Sequence, residues 1–125
     1  MAKAIEDIGM PNVYPNVDVG HLVITREEPA MLEKLAPRLL HVHLSETESL
    51  DHTNDILGTG VVDFKVYVDK CIELGIEENC KRWGEPCVAG IEMGSEASGG
   101  FVDEPDRWVQ ESLDYLAKTM PELTM

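Results

Sequence analysis

What this sequence has least of is positive charge: ten Lys and Arg stand against 24 Asp and Glu, a formal net charge of −14. Such an excess repels nucleic-acid phosphates and anionic lipid surfaces at long range, so no nucleic-acid partner is expected. The acidic residues are spread along the chain and form no single block, which reads as solubility. Cysteine is scarce as well. Cys71, Cys80 and Cys87 are odd in number and show no CxxC spacing, which argues against a disulfide framework and a zinc ribbon and points to a reducing cytoplasm. Met1–Asp7 has no apolar leader, and no run is long enough to span a bilayer. The expectation is a soluble, unsecreted chain without a membrane partner. Internal repeats and low-complexity tracts are also absent.

What is present suffices for one domain over residues 1–125, since 43% hydrophobic content can bury a single core. The pattern predicts a short helix from Ala2 to Ile8, stopped by Gly9 and Pro11, and then a β-rich run from Asn12 to His21 with Asp18 near its end. A helix follows from Pro29, with Met31, Leu32 and Leu35 as its apolar stripe and Pro37 as its stop. Leu39–Glu46 reads as the second strand, and Thr47–Gly60 as a long polar connection of the kind that carries function. Asp63 is a plausible N-cap for a helix in which Phe64, Tyr67, Val68, Cys71 and Ile72 recur at helical spacing until Leu74-Gly75.

Glu77–Pro86 reads as a polar connection in which Trp83 covers a sheet edge or a helix end. Cys87–Met93 is the third strand, and Gly94–Gly100 a flexible loop. The last helix starts near Pro105, shows Trp108, Val109, Ser112, Leu113 and Leu116 on one face, and halts at Pro121. A helix followed by three strand–helix pairs is the signature of an α/β fold with a parallel sheet and right-handed crossovers.

Each predicted strand ends in a potential metal ligand: Asp18, His43 and Glu92. If Val17 and Val19, then Leu40, Val42 and Leu44, then Ala89, Ile91 and Met93 face the helices, strand alternation puts all three ligands on the opposite face. Singly, each reads equally well as a cap or a solvated group. Together, at the strand ends where α/β folds build their sites, two carboxylates and an imidazole suit Mn²⁺, Mg²⁺ or Co²⁺, and also Zn²⁺. His21, three residues beyond Asp18, would stand at the rim.

Asp18-Val19-Gly20-His21, His41-Val42-His43-Leu44, Gly58-Thr59-Gly60 leading into Val62-Asp63-Phe64, and Gly90-Ile91-Glu92-Met93 resemble, in that order, the successive C-terminal motifs of xylose isomerase-like TIM barrels. These are sugar and sugar-phosphate isomerases and epimerases of carbohydrate metabolism, related to endonuclease IV. The resemblance implies that Asp18, His43 and Glu92 are ligands of a divalent metal, with Mn²⁺ the leading expectation. It further implies that His21 contacts substrate oxygens and that Glu92 is a proton-transfer carboxylate working next to a carbonyl.

It implies a partial (β/α)8 barrel, the last three βα units with the helix before them. The second catalytic carboxylate of the family lies on a strand preceding that helix, so activity of this chain alone is expected to be weak or absent. A three-stranded parallel unit leaves sheet edges open, and a homo-oligomer or a complementary barrel chain is expected to close them. The rivals are an endonuclease IV-like DNA-repair nuclease and a non-catalytic barrel remnant.

His41 lies two residues deeper than His43, about 6–7 Å from the mouth on strand geometry, and reads as a supporting imidazole. His52 reads as a solvated loop histidine, Glu46 and Glu48 as wet loop charges, and Trp108 and Leu113 as helix-face core.

Overall fold

The computed structural model of the chain describes residues 1–94 and 102–123, so nearly all of the predicted loop after the third strand lies outside the described residues. Among these, three short strands form one parallel sheet: β1 (Val17–Asp18), β2 (Val42–Ser45) and β3 (Ala89–Glu92), in the order β1-β2-β3. The register sets Asp18 beside His43, His43 beside Gly90, and Ser45 beside Glu92. Helices make every crossover, as a parallel ladder requires. The fold is therefore mixed α/β with β2 in the centre, and no helix among the described residues is long and apolar enough to cross a membrane.

The first helix, α1 (Ala2–Ile8), ends as expected at Gly9, whose φ of 64° lets its N–H return to the Ile5 carbonyl. The β-rich run Asn12–His21 shrinks to two strand residues, because α2 (Val19–Ile24) begins directly after Asp18. The cause is a side-chain cap: Asp18 Oδ1 accepts the His21 N–H at 3.1 Å and starts the helix where the sequence pattern continues the strand. The next element, Pro29–Arg38, is a 3₁₀ helix and passes through Pro37. Proline has no N–H to give an i−4 carbonyl, so Pro37 does not support an α-helix, and the tighter winding continues one residue beyond it.

Helix α3 (Phe64–Glu73) follows the long connection and buries Phe64, Tyr67, Val68 and Cys71, while Ile72 stays exposed. Asp63 sits at its N-cap, but its side chain makes no capping hydrogen bond. Residues expected to form a polar connection are instead α4 (Ile76–Trp83), which buries Ile76, Asn79 and Cys80. Two features hide this helix from the sequence. Gly75 with φ of 77° turns the chain straight from α3 into it, and one of its inward residues is polar, the Asn79 amide donating to the Leu39 carbonyl at 3.3 Å. Trp83 packs edge-on against Tyr14 with ring centroids 5.4 Å apart. The last helix, α5 (Pro105–Thr119), buries Ser112 and Leu116, and leaves Val109 of its expected apolar face exposed.

The core lies on one side of the sheet. Val17, Val42 and Leu44 from the strands meet Phe64, Val68, Cys71 and Leu116 from the helices. Polar side chains occupy the other face, because strand neighbours point to opposite sides. Toward the β3 edge the helical layer is less tightly closed, leaving a cavity of about 640 Å³ lined by Val42, Leu44, Ile91 and the Cys71 and Cys87 thiols.

Burial pushes both thiols up from 9.0 to about 11, with Cys80 adding to the shift at Cys87. For the buried Cys71 thiol, a folded-state value above the unfolded one means that the stability it contributes is present below pH 9 and lost as pH rises toward 11. Thermal unfolding should therefore show a melting temperature that falls over this window. Cys71→Ala should flatten the fall, and a melting temperature level to pH 11 would count against the assignment.

Candidate metal centre

The polar face of the sheet begins with Asp18, which ends β1 and caps α2 in one residue. Its Oδ1 accepts the His21 N–H and also the Ser45 hydroxyl from the neighbouring strand, and Ser45 Oγ in turn accepts the Gly20 N–H at 3.2 Å. These contacts tie one carboxylate oxygen to the scaffold. His43 projects from β2 between Asp18 and Glu92, and its Nδ1 meets Glu92 Oε2 at 2.8 Å. The second oxygen of Glu92 accepts the Asn54 amide at 3.1 Å, so both oxygens of this carboxylate are oriented by neighbours.

Beneath these groups the backbone leaves room. A Cβ on Gly90 would stand 3.3 Å from His43 Cδ2 and 3.5 Å from His41 Nε2, so glycine admits both imidazoles. His41 Nδ1–H donates to the Val88 carbonyl at 2.8 Å, and its ring lies edge-on to His43 at 5.0 Å between centroids. The ring is thus held by a backbone carbonyl, two residues before His43 on the same face.

Asp18, His43 and Glu92 offer ligand atoms that all lie within 4.8 Å of one another. Three ligands bound to one ion at about 2.1 Å stand roughly 3–4 Å apart, so the side chains must draw together to close the set. Two carboxylates and an imidazole are a donor set that a hard or borderline divalent cation accepts. The residues present fit such an ion.

A second group shares Asp18 and adds His21 and His52, again within 4.8 Å. The two rings lie 4.1 Å apart at 32°, and His52 Nε2 is buried with no hydrogen-bond partner among the described residues. His52 is thus not the solvated loop histidine that its sequence surroundings suggest, because the Thr47–Gly60 connection folds back and sets it against α2. His21 is exposed.

Glu46 departs furthest from expectation. Far from being wet, it is 0% exposed, and it accepts the backbone N–H groups of Thr47 at 3.0 Å, Gly58 at 2.7 Å and Val62 at 3.1 Å. This single carboxylate closes the connection onto the end of β2. Asn54 also escapes the sequence pattern. It is buried at φ of 52°, a conformation asparagine tolerates better than most residues, and that twist aims its amide at Glu92. The available signal was a glutamate at a strand end followed by a Gly58-Thr59-Gly60 turn, whose backbone amides lack partners within the turn and can close on an acceptor.

Fold and site together define a class: a parallel α/β unit carrying two overlapping metal-capable clusters at the carboxyl ends of its strands. Comparison with protein-family models, curated proteins and solved structures returns no match.

Proposed function

We propose that this chain is part of a xylose isomerase-like (β/α)8 barrel and carries the metal centre of a sugar or sugar-phosphate isomerase or epimerase. The observation that carries this reading is the convergence of Asp18, His43 and Glu92, each from a different strand end, within 4.8 Å. Asp18, His43 and Glu92 would hold a divalent ion, with Mn²⁺ first in preference and Mg²⁺, Co²⁺ or Zn²⁺ alternatives, and such an ion would supply polarisation of a carbonyl and the hydroxyl beside it. Glu92, held by Asn54 and His43, moves a proton at the carbon next to that carbonyl. His21 at the rim touches substrate oxygens.

The second carboxylate of such an acid/base pair comes from outside this sheet. The two edge strands β1 and β3 offer places for its carrier, either another copy of the chain or a complementary barrel chain. Alone the chain turns over weakly or not at all. Its three free cysteines suit a reducing cytoplasm.

Metal content and solution mass, measured after gentle purification on wild type and on His43→Ala, test the reading. Wild type should hold about one equivalent of divalent ion, and loss of one ligand should weaken it by on the order of 100-fold. A metal-free wild type, or unchanged metal in the variant, defeats it. Metal-free wild type is also the outcome expected of a non-catalytic remnant. The Asp18–His21–His52 cluster favours a second reading, a nuclease of the endonuclease IV type with more than one metal, although the −14 charge opposes DNA binding. Salt-dependent binding of duplex DNA would support that second reading.

A further inference from the structure

No two cysteines of this chain share a CxxC spacing, yet the fold gathers all three. Helix α3 contributes Cys71, α4 contributes Cys80, and Cys87 stands two residues before β3. Strands β2 and β3 pair Val42 with Ala89, and the contact of His41 Nδ1 with the Val88 carbonyl at 2.8 Å keeps the two segments side by side for a further residue. Continued one more step, the same register sets Cys87 beside Leu40. Alternation turns Cys87 to the side of Ala89, toward the helices, and its thiol lines the cavity there together with Cys71.

Cys80 reaches the same point from α4. It is 1% exposed, and its thiol donates to the Leu40 carbonyl at 3.1 Å. The chain then reverses at Gly84, the Glu85 N–H returning to the Cys80 carbonyl at 3.0 Å, and so leads Cys87 back toward Cys80. Burial, the charge of Cys80 and a hydrogen bond between the Cys80 and Cys87 thiols together raise Cys87 to about 11. Between Cys71 and Cys87 charge acts without a hydrogen bond. Access differs within the bonded pair, since Cys87 is exposed and Cys80 is buried.

We propose that Cys80 and Cys87 form a reversible dithiol site, closed to an intramolecular disulfide by a low-molecular-weight disulfide, with Cys87 as the entry sulfur and Cys80 as the resolving one. Cys87 gives up its proton and attacks one sulfur of the oxidant RSSR, so that a Cys87–SR bond forms, the S–S bond of RSSR breaks, and RS⁻ leaves and takes up the proton. Cys80 then loses its proton and attacks Cys87 Sγ, expelling the second RS⁻, which is protonated in turn. The protein dithiol has lost two electrons and two protons, and one RSSR has become two RSH. Because the thiolate is the nucleophile, the first step is slow at neutral pH and quickens as pH rises. A reducing compartment keeps the pair open, in keeping with three free cysteines. The site lies on the helix side of the sheet, opposite Asp18, His43 and Glu92, and stands independently of the metal-centre reading.

The test treats the reduced full chain with oxidised glutathione at about pH 8.5, where more of the thiol is ionised. Alkylation follows, then digestion with trypsin and a glutamate-specific protease, which together cut between each pair of cysteines. Mass spectrometry should find Cys80 linked to Cys87 and Cys71 alkylated. In urea, where Cys71–Cys80 and Cys80–Cys87 close loops of similar length, both links should form. Cys80→Ala should stop at the mixed disulfide and hold roughly ten-fold more glutathione on Cys87 than wild type does. The linkage itself is read on wild type, so it stands whether or not the variant folds. A folded chain that yields the urea mixture, a link through Cys71, glutathione retained on wild-type Cys87, or three alkylated thiols after oxidation overturns the inference.

Discussion

Replacing Glu46 with alanine is expected to destabilise the chain by roughly 3–5 kcal/mol, at about 1–3 kcal/mol for each buried donor left without an acceptor and with some relief from entering water. Two buried donors, the N–H groups of Thr47 and Val62, and the partly buried N–H of Gly58 depend on this carboxylate. Against a total stability of about 5–15 kcal/mol for an ordinary domain, the loss is a large fraction of the whole. Its consequences are also directional. The connection that Glu46 closes carries His52 and Asn54, so Glu46→Ala should disorder one wall of the site before the sheet melts.

Urea unfolding followed by far-UV circular dichroism gives the free-energy change, and amide exchange at Gly58 and Val62 reports the local opening. Glu46→Gln keeps one acceptor oxygen and should fall between wild type and alanine. A Glu46→Ala protein within 1 kcal/mol of wild type would mean that the loop is held by something else.

Gly20→Ala should displace Asp18 by adding a single methyl group. A Cβ at Gly20 would overlap Ser45 Oγ, stand 2.8 Å from the Ser45 carbonyl oxygen and reach 3.4 Å from Asp18 Oδ1. The hydroxyl can rotate away, but the carbonyl belongs to the central strand. Helix α2 must therefore lift off β2, and Asp18, as the N-cap of that helix, moves with it. Overpacking of this kind costs about 1–3 kcal/mol.

The larger effect falls on the metal. If the proposed centre binds Mn²⁺, displacing Asp18 and the Ser45 contact that orients it should lower that affinity by on the order of 10–100-fold. Gly84→Ala is the control: its Cβ meets nothing within 4 Å, so only the cost of its left-handed backbone, φ of 73°, applies, about 1 kcal/mol. Equal Mn²⁺ affinity in Gly20→Ala and Gly84→Ala would show that the approach of α2 to β2 does not position Asp18.

Much of the framework is legible from local pattern. Phe64, Tyr67, Val68 and Cys71 recur at helical spacing and are the buried residues of α3. Gly9 ends α1, and Pro105 begins α5. Elements whose definition depends on a distant contact were harder. The strand leading to Asp18 stops short because Asp18 caps a helix and bonds to Ser45, twenty-seven residues away. Helix α4 turns Asn79 inward, which is favourable only because backbone carbonyls of residues 36 and 39 receive its amide.

The division within the site follows the same line. Asp18, His43 and Glu92 are placed on one face by a property of each strand taken alone, the alternation of side-chain direction, and a linear pattern is enough to find them. Glu46, Asn54 and His52 lie where closure of a fourteen-residue connection puts them. A loop glutamate is ordinarily hydrated, and only the assembled fold brings Thr47, Gly58 and Val62 amides around this one and makes its burial favourable. The sequence by itself determined which strand ends bear metal-capable side chains; the tertiary structure alone decided what stands over them, because hydrogen bonds between residues far apart in the chain have no periodic signature along it.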